Sequence, residues 1–157
     1  MPKIHLTSFI QAPVERVFNL SRHLAIRKLA LQKGREQILS SSSDSLVQQG
    51  ETITMRARHL GKTREITARI VEISKPERFT EEQVKGDLKS YRHECHFKPA
   101  ENGTILIDML EYEGPRDLLG SIASAFFLRS YLESMLRKKN DLVRQYAETE
   151  KWKAVLS

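Results

Sequence analysis

The chain opens on alternation. Ile4, Leu6, Ser8 and Ile10 interleave with Lys3, His5, Thr7, Phe9 and Gln11, which predicts a strand over Lys3–Gln11 with one polar residue on its apolar side. Ala12-Pro13 breaks it, and Pro13 suits the first position of a helix, where a missing N–H costs nothing. Val14, Val17 and Phe18, then Leu24 and Leu29, follow at helical spacing and predict two short helices, about 13–20 and 22–31, ending near Gly34. From there the pattern changes to strands and turns. Strands are predicted over 36–40, 51–60, 63–74, 78–85, 88–98 and 104–113, with turns at Gly61-Lys62, Lys75-Pro76, Gly86-Asp87 and Pro99–Gly103. Asn102-Gly103 is a strong turn signal, and Ser40–Ser45 reads as a short loop. After Gly114-Pro115, Asp117 is a good N-cap. Leu118, Ile122, Ala125, Leu132, Leu136 and Val143 then share one face at 100° per residue, flanked by Leu128, Met135 and Tyr146. This predicts one long amphipathic helix, about 117–149, with 147–157 as a loosely ordered tail.

The element order is therefore strand, two short helices, six strands, long helix. Short connections make successive strands antiparallel neighbours. Such a sheet cannot bury its inner face alone, and a helix rising about 1.5 Å per residue is long enough to cover it. The predicted fold class is α+β: a curved seven-stranded antiparallel sheet wrapped around a long C-terminal helix. A curved sheet gripping a helix often leaves a hollow between them.

Composition narrows the picture. At 157 residues the chain reads as one domain, 1–157. The longest charge-free apolar stretch, Leu118–Leu128, has eleven residues, where a membrane span needs about 20. The opening residues carry no apolar run behind a basic head, as a secretory signal would. A single cysteine, Cys95, forms no intramolecular disulfide, which places the chain in the reducing cytoplasm. The net charge of +6 comes from well-mixed signs, except at Ser21–Arg35, where Arg22, Arg27, Lys28, Lys33 and Arg35 occur without an acid. That segment reads as a solvated basic face, or as a surface for a protein or an anionic membrane.

The element order resembles the START/SRPBCC helix-grip superfamily, which includes pollen-allergen-like proteins, lipid-transfer domains and polyketide aromatase/cyclases. Ile10-Gln-Ala-Pro-Val-Glu-Arg-Val-Phe-Asn-Leu20 is similar to that superfamily's opening, where Ala-Pro precedes a helix with Val-Phe. Ala57-Arg58-His59-Leu60-Gly61 resembles a small bacterial ligand-binding subgroup, as do Gly103-Thr104, Asp108, Tyr112 and Pro115. The subgroup's His-x-His-x-Phe pattern is partly kept at His93–Phe97, with Cys95 where a second histidine is expected. The resemblance implies binding of a small hydrophobic or amphipathic ligand.

Strand alternation assigns faces. Tyr91, His93, Cys95 and Phe97 go inward together, as do Ile53, Met55, Ala57 and His59. Phe79 takes Glu81, Gln83 and Lys85 inward with it. The last strand is apolar on both faces; the resemblance places Asp108 and Tyr112 inward, with Leu106 and Leu110. The inner surface is then apolar with a polar island of His59, Tyr91, His93, Asp108 and Tyr112, joined from the 78–85 strand by Glu81 and Gln83. Two readings follow. The island is a self-satisfied core network, with His93 and Asp108 paired, or it lines a cavity and orients a ligand. Met55, Gln83, Cys95, Leu110 and Ile122 complete the cavity set. Phe126, in the charge-free start of the long helix, reads as a lipophilic entrance or a dimer contact.

Other chemistry is weaker. His93-x-x-His96 points to opposite faces of a strand, and His93 beside Cys95 is more often core than zinc ligand, so no metal is expected. No Walker or Gly-x-Gly-x-x-Gly loop and no nucleophile elbow occur, and no cofactor is expected. Eleven aromatics, mostly at core positions, do not suit nucleic-acid binding. The expectation is carriage of a small apolar ligand, by a monomer or a dimer. The alternative is an acid–base enzyme of the cyclase, aromatase or dehydratase type using His93 and Asp108.

Overall fold

The computed structural model describes residues 2–32, 36–41, 45–59, 62–114 and 122–156; within them, the side chains of 32, 36–41, 57–59, 62 and 122–124 are outside the description. Strand β1 (Lys3–Ile10) is followed by helices α1 (Val14–Ser21) and α2 (Leu24–Gln32). Then come β2 (Glu36–Ser41), β3 (Thr52–His59), β4 (Lys62–Ser74), β5 (Arg78–Gly86), β6 (Ser90–Ala100) and β7 (Gly103–Glu113). Helices α3 (Ile122–Ala147) and α4 (Trp152–Leu156) close the chain. The strands form one sheet in the order β1-β7-β6-β5-β4-β3-β2, and every pairing is antiparallel. Each neighbour is the next strand in sequence, except that β1 closes against β7. Helices α1 and α2 both pack on α3.

The β6–β7 hairpin shows how sequence sets local structure. Ala100 pairs with Gly103, so Glu101 and Asn102 form the loop, and Asn102 takes φ 63°, which asparagine tolerates better than most residues. Gly103 is fixed by crowding. A Cβ there would stand 2.4 Å from the Ile10 carbonyl oxygen and 2.7 Å from the Phe9 ring. Backbone cannot yield as a side chain does, so Gly103→Ala is expected to destabilise the fold by about 1–3 kcal/mol. Thermal unfolding checks this; an unchanged Tm would show that β1 and β7 are not held this close.

Two apolar clusters fill the interior. One gathers Phe18, Ile26, Phe79, Phe97, Leu106, Leu142 and Val143, with the Phe18 and Phe97 rings edge-on at 5.2 Å. The other gathers Ile4, Leu6, Tyr91, Leu110, Tyr112, Leu128, Leu132 and Leu136. Reading along β6, Tyr91 belongs to the second cluster and Phe97 to the first, with His93 between them. Along β7 the order is Leu106, Asp108, Leu110, and along α3 it is Leu136, then Lys139 and Asn140, then Leu142. A polar layer thus separates the two apolar halves.

Several expectations change. Lys85 is exposed rather than inward. Pairing of β5 with β6 ends at Glu82–Arg92, and the β4–β5 ladder shifts register twice, so the far end of β5 keeps β4 as its neighbour but loses β6 and its alternation. Arg22 and Arg27, assigned to a solvated basic face, are buried at 3% and 7% exposure, while Lys28 is exposed. Residues 148–156 hold a turn and helix α4 where a loose tail is expected: Arg16 donates to the Ala147 carbonyl at 3.1 Å and lies 4.2 Å over the Trp152 ring. Asp117, Leu118, Lys33 and Arg35 lie outside the described residues. No helix among the described residues is long and apolar enough to cross a membrane.

Candidate functional site

The polar layer is a connected set of charges. Strand pairing places Glu81 of β5 opposite His93 of β6, and Cys95 of β6 opposite Asp108 of β7. His93 bridges two carboxylates, with Nε2 2.7 Å from Asp108 Oδ1 and Nδ1 3.1 Å from Glu81 Oε1. Arg27, arriving from α2, donates from Nη1 to Glu81 Oε2 at 2.9 Å. From α3, Lys139 Nζ lies 3.5 Å from Asp108 Oδ1, and Asn140 donates to Asp108 Oδ2 at 2.6 Å. The Cys95 thiol donates to Asp108 at 3.4 Å. All seven residues are buried.

Burial alone would neutralise these groups; their mutual contacts keep them charged. For Asp108, burial favours the protonated acid, but Lys139 and the bonds from His93 and Asn140 prevail and hold the carboxyl well below its usual range. Glu81 is likewise held low, against burial, by Arg27 and His93. His93 is pushed up, since its bonds to Asp108 and Glu81 outweigh its burial. The geometry agrees: a neutral imidazole has one N–H, so a ring facing carboxylates on both sides needs both nitrogens protonated. Burial raises the Cys95 thiol and the Tyr91 phenol well above their ordinary values, so both stay neutral. The layer therefore holds three cations, Arg27, Lys139 and His93, against two carboxylates.

His93, Cys95 and Asp108 bring potential metal-ligand atoms within 4.8 Å of one another. Two features disfavour a divalent ion there. Lys139 already stands against the same Asp108 oxygen, and Arg27 adds a second fixed cation to the layer. These atoms belong to the hydrogen-bonded layer.

Two pockets lie between the sheet and the helices. One is walled by Leu31, Met55, Ile66, Leu88, Leu128, Leu132 and Tyr131, with the Arg64–Asp87 ion pair, 3.9 Å, on its wall. The other reaches the charged layer at Arg27, Glu81, His93 and Lys139. Leu31, Met55, Tyr91 and Met135 line both, so the two adjoin. The cavities are slim, about 40 Å³ and about 50 Å³, room for a few waters rather than for a large guest. The hollow is neither packed solid nor wide.

The predicted site residues separate into groups. Met55, Tyr91 and His93 line a pocket. Cys95 and Asp108 sit behind His93 in the charged layer. Leu110 and Tyr112 are buried in the second apolar cluster. Gln83 donates to the Leu88 carbonyl at 2.7 Å and braces the β5–β6 turn. Phe126 is 64% exposed, on the outside of α3, beside Phe127. The side chains of His59 and Ile122 lie outside the described residues. Sequence reasoning left out Arg27, Lys139 and Asn140, although a signal existed. Lys139 is three residues after Leu136 and four before Val143, so it lies on the apolar stripe.

No protein-family model matches the sequence, and no curated protein sequence matches it significantly. Solved structures do match. The protein TTHA0849 from Thermus thermophilus is 22% identical with a TM-score of 0.70, over 90% of this chain and 97% of that one. A START superfamily protein from Mycobacterium smegmatis is 13% identical with a TM-score of 0.63, over 91% of this chain and 97% of that one. The di-domain ARO/CYC StfQ from the steffimycin biosynthetic pathway is 13% identical with a TM-score of 0.72, over 93% of this chain and 50% of that one. The chain has the START/SRPBCC helix-grip fold, an open antiparallel sheet with a long C-terminal helix.

Proposed function

We propose that this protein binds a small apolar or amphipathic molecule between its sheet and α3, and carries it without transforming it. The supporting observation is the pair of adjoining pockets: apolar walls along most of their length, with a charged layer at one end. This is how small-molecule sites are commonly built, with a few polar groups fixing orientation. The fold adds a prior only, since neighbours named as START and ARO/CYC proteins differ in what they do. A guest must widen the bore by moving Met55 and Met135, whose unbranched thioether chains adapt readily.

The acid–base alternative has a specific obstacle. Both nitrogens of His93 are taken by carboxylates, and Asp108 is sealed from the pocket behind it. His93 therefore has no free lone pair with which to take a proton from a guest. The membrane-surface alternative loses Arg22 and Arg27, which are buried.

The test is binding of N-phenyl-1-naphthylamine, a neutral probe that fluoresces when it leaves water. Wild type is expected to brighten the probe saturably. Met135→Trp, which fills the space common to both pockets, is expected to abolish that response while Tm moves by only a few degrees. No brightening in wild type, or equal brightening in M135W, would overturn the proposal.

A further inference from the structure

Arg27 is only partly used by its protein partners. Its Nη1 bonds to Glu81, but its Nε and Nη2 are buried and have no hydrogen-bond partner. On a guanidinium those two N–H groups lie along one edge, parallel and spaced to receive both oxygens of a carboxylate. The residue is 7% exposed and lines the pocket at the charged layer, as does Lys139. Two buried donors left without acceptors are costly in a native protein and call for an occupant. The charge balance points the same way. Three cations face two carboxylates, and an uncompensated buried charge is destabilising until an anion joins it.

We propose that the guest is an amphipathic monocarboxylate: its carboxylate takes the free edge of Arg27, with Lys139 beside it, and its tail lies along Leu31, Met55 and Met135. This rests on the pocket-binding reading above and adds the chemistry of the head group. Glu81 keeps a second role as the positioning residue that holds the guanidinium in place from the opposite edge. The anion brings the layer to neutrality, so binding stabilises the fold as well as filling the pocket.

The experiment compares decanoate with decanol, which share a chain and differ in head group, by calorimetric titration near neutral pH. Wild type is expected to bind decanoate about tenfold or more tighter than decanol. Two variants remove the preference without leaving an unpaired carboxylate. Lys139→Met leaves Asp108 with His93 and Asn140, and the double variant Arg27→Gln/Glu81→Gln removes both members of an ion pair. In each, the decanoate preference is expected to fall to about twofold or less while decanol affinity holds. Equal affinity for the two ligands in wild type, or an undiminished preference in both variants, would overturn the head-group assignment and leave the pocket reading standing. Binding of neither ligand, with no response to the neutral probe, would overturn both.

Discussion

Asp108→Asn is expected to cost about 3–5 kcal/mol of unfolding free energy, enough to lower Tm by roughly 6–20 °C. Asp108 is fully buried and receives His93, Lys139, Asn140 and Cys95. The amide keeps the shape and removes the charge, leaving three buried cations facing the single carboxylate of Glu81. It also presents an N–H₂ group where at least one of those donors needs an acceptor. Adding Lys139→Met removes one of the stranded cations, so D108N/K139M is expected to regain part of the loss. Urea unfolding at neutral pH followed by circular dichroism gives all four corners of that cycle. A loss below about 1 kcal/mol in D108N, or a double variant no better than the single, would show that this layer is not held by charge.

The second large effect is on pH. Folding holds the His93 proton more tightly than the unfolded chain does. Its contribution is therefore complete below the ordinary histidine range and disappears as pH rises through the raised value. Glu81 and Asp108 are held low, so their contributions are complete above the ordinary carboxylate range and disappear as pH falls toward the depressed values. Stability is thus expected to form a dome, with the acid side steeper because two groups act there. Each such proton changes stability by about 1.4 kcal/mol per pH unit where only one state holds it, the unfolded state for the two carboxylates and the folded state for His93. Urea midpoints from about pH 3 to about pH 9 trace the curve. R27Q/E81Q should show a shallower acid limb, since one of the two carboxylates is gone. A flat profile in wild type would contradict the ionisation assigned to the whole layer.

The sequence was most legible where period two meets a sharp contrast in polarity. On β6, charged residues on one face left no doubt that Tyr91, His93, Cys95 and Phe97 turn inward, and these four are buried. On β7 both faces are apolar and alternation was silent, so the inward set came from a family likeness; Leu106, Asp108, Leu110 and Tyr112 are buried there. On β5 the period itself fails, because Phe79, Thr80 and Glu81 are all buried in succession beside the register shifts. The helices hid their contribution differently. Arg27 and Lys139 look like solvent residues by type, and only the partners across the interior, Glu81 and Asp108, explain their burial. Those pairings join residues 54 and 31 positions apart, a distance at which local pattern carries no information. Phe126 failed by the opposite route: its apolar character suggested a cavity entrance, and it faces outward.

The separation of the interior into two oily halves by one ionic stratum also fixes how the long helix is able to move. Sliding α3 by one turn so that Met135 and Leu136 took the places of Lys139 and Asn140 would strand the Asp108 charge, so slippage in that direction is barred. The portion of α3 before this layer borders both pockets through Leu128, Leu132 and Met135, while the portion after it packs on α1 through Val143 and Ala147, so the two halves of one helix serve the cavity and the anchor separately.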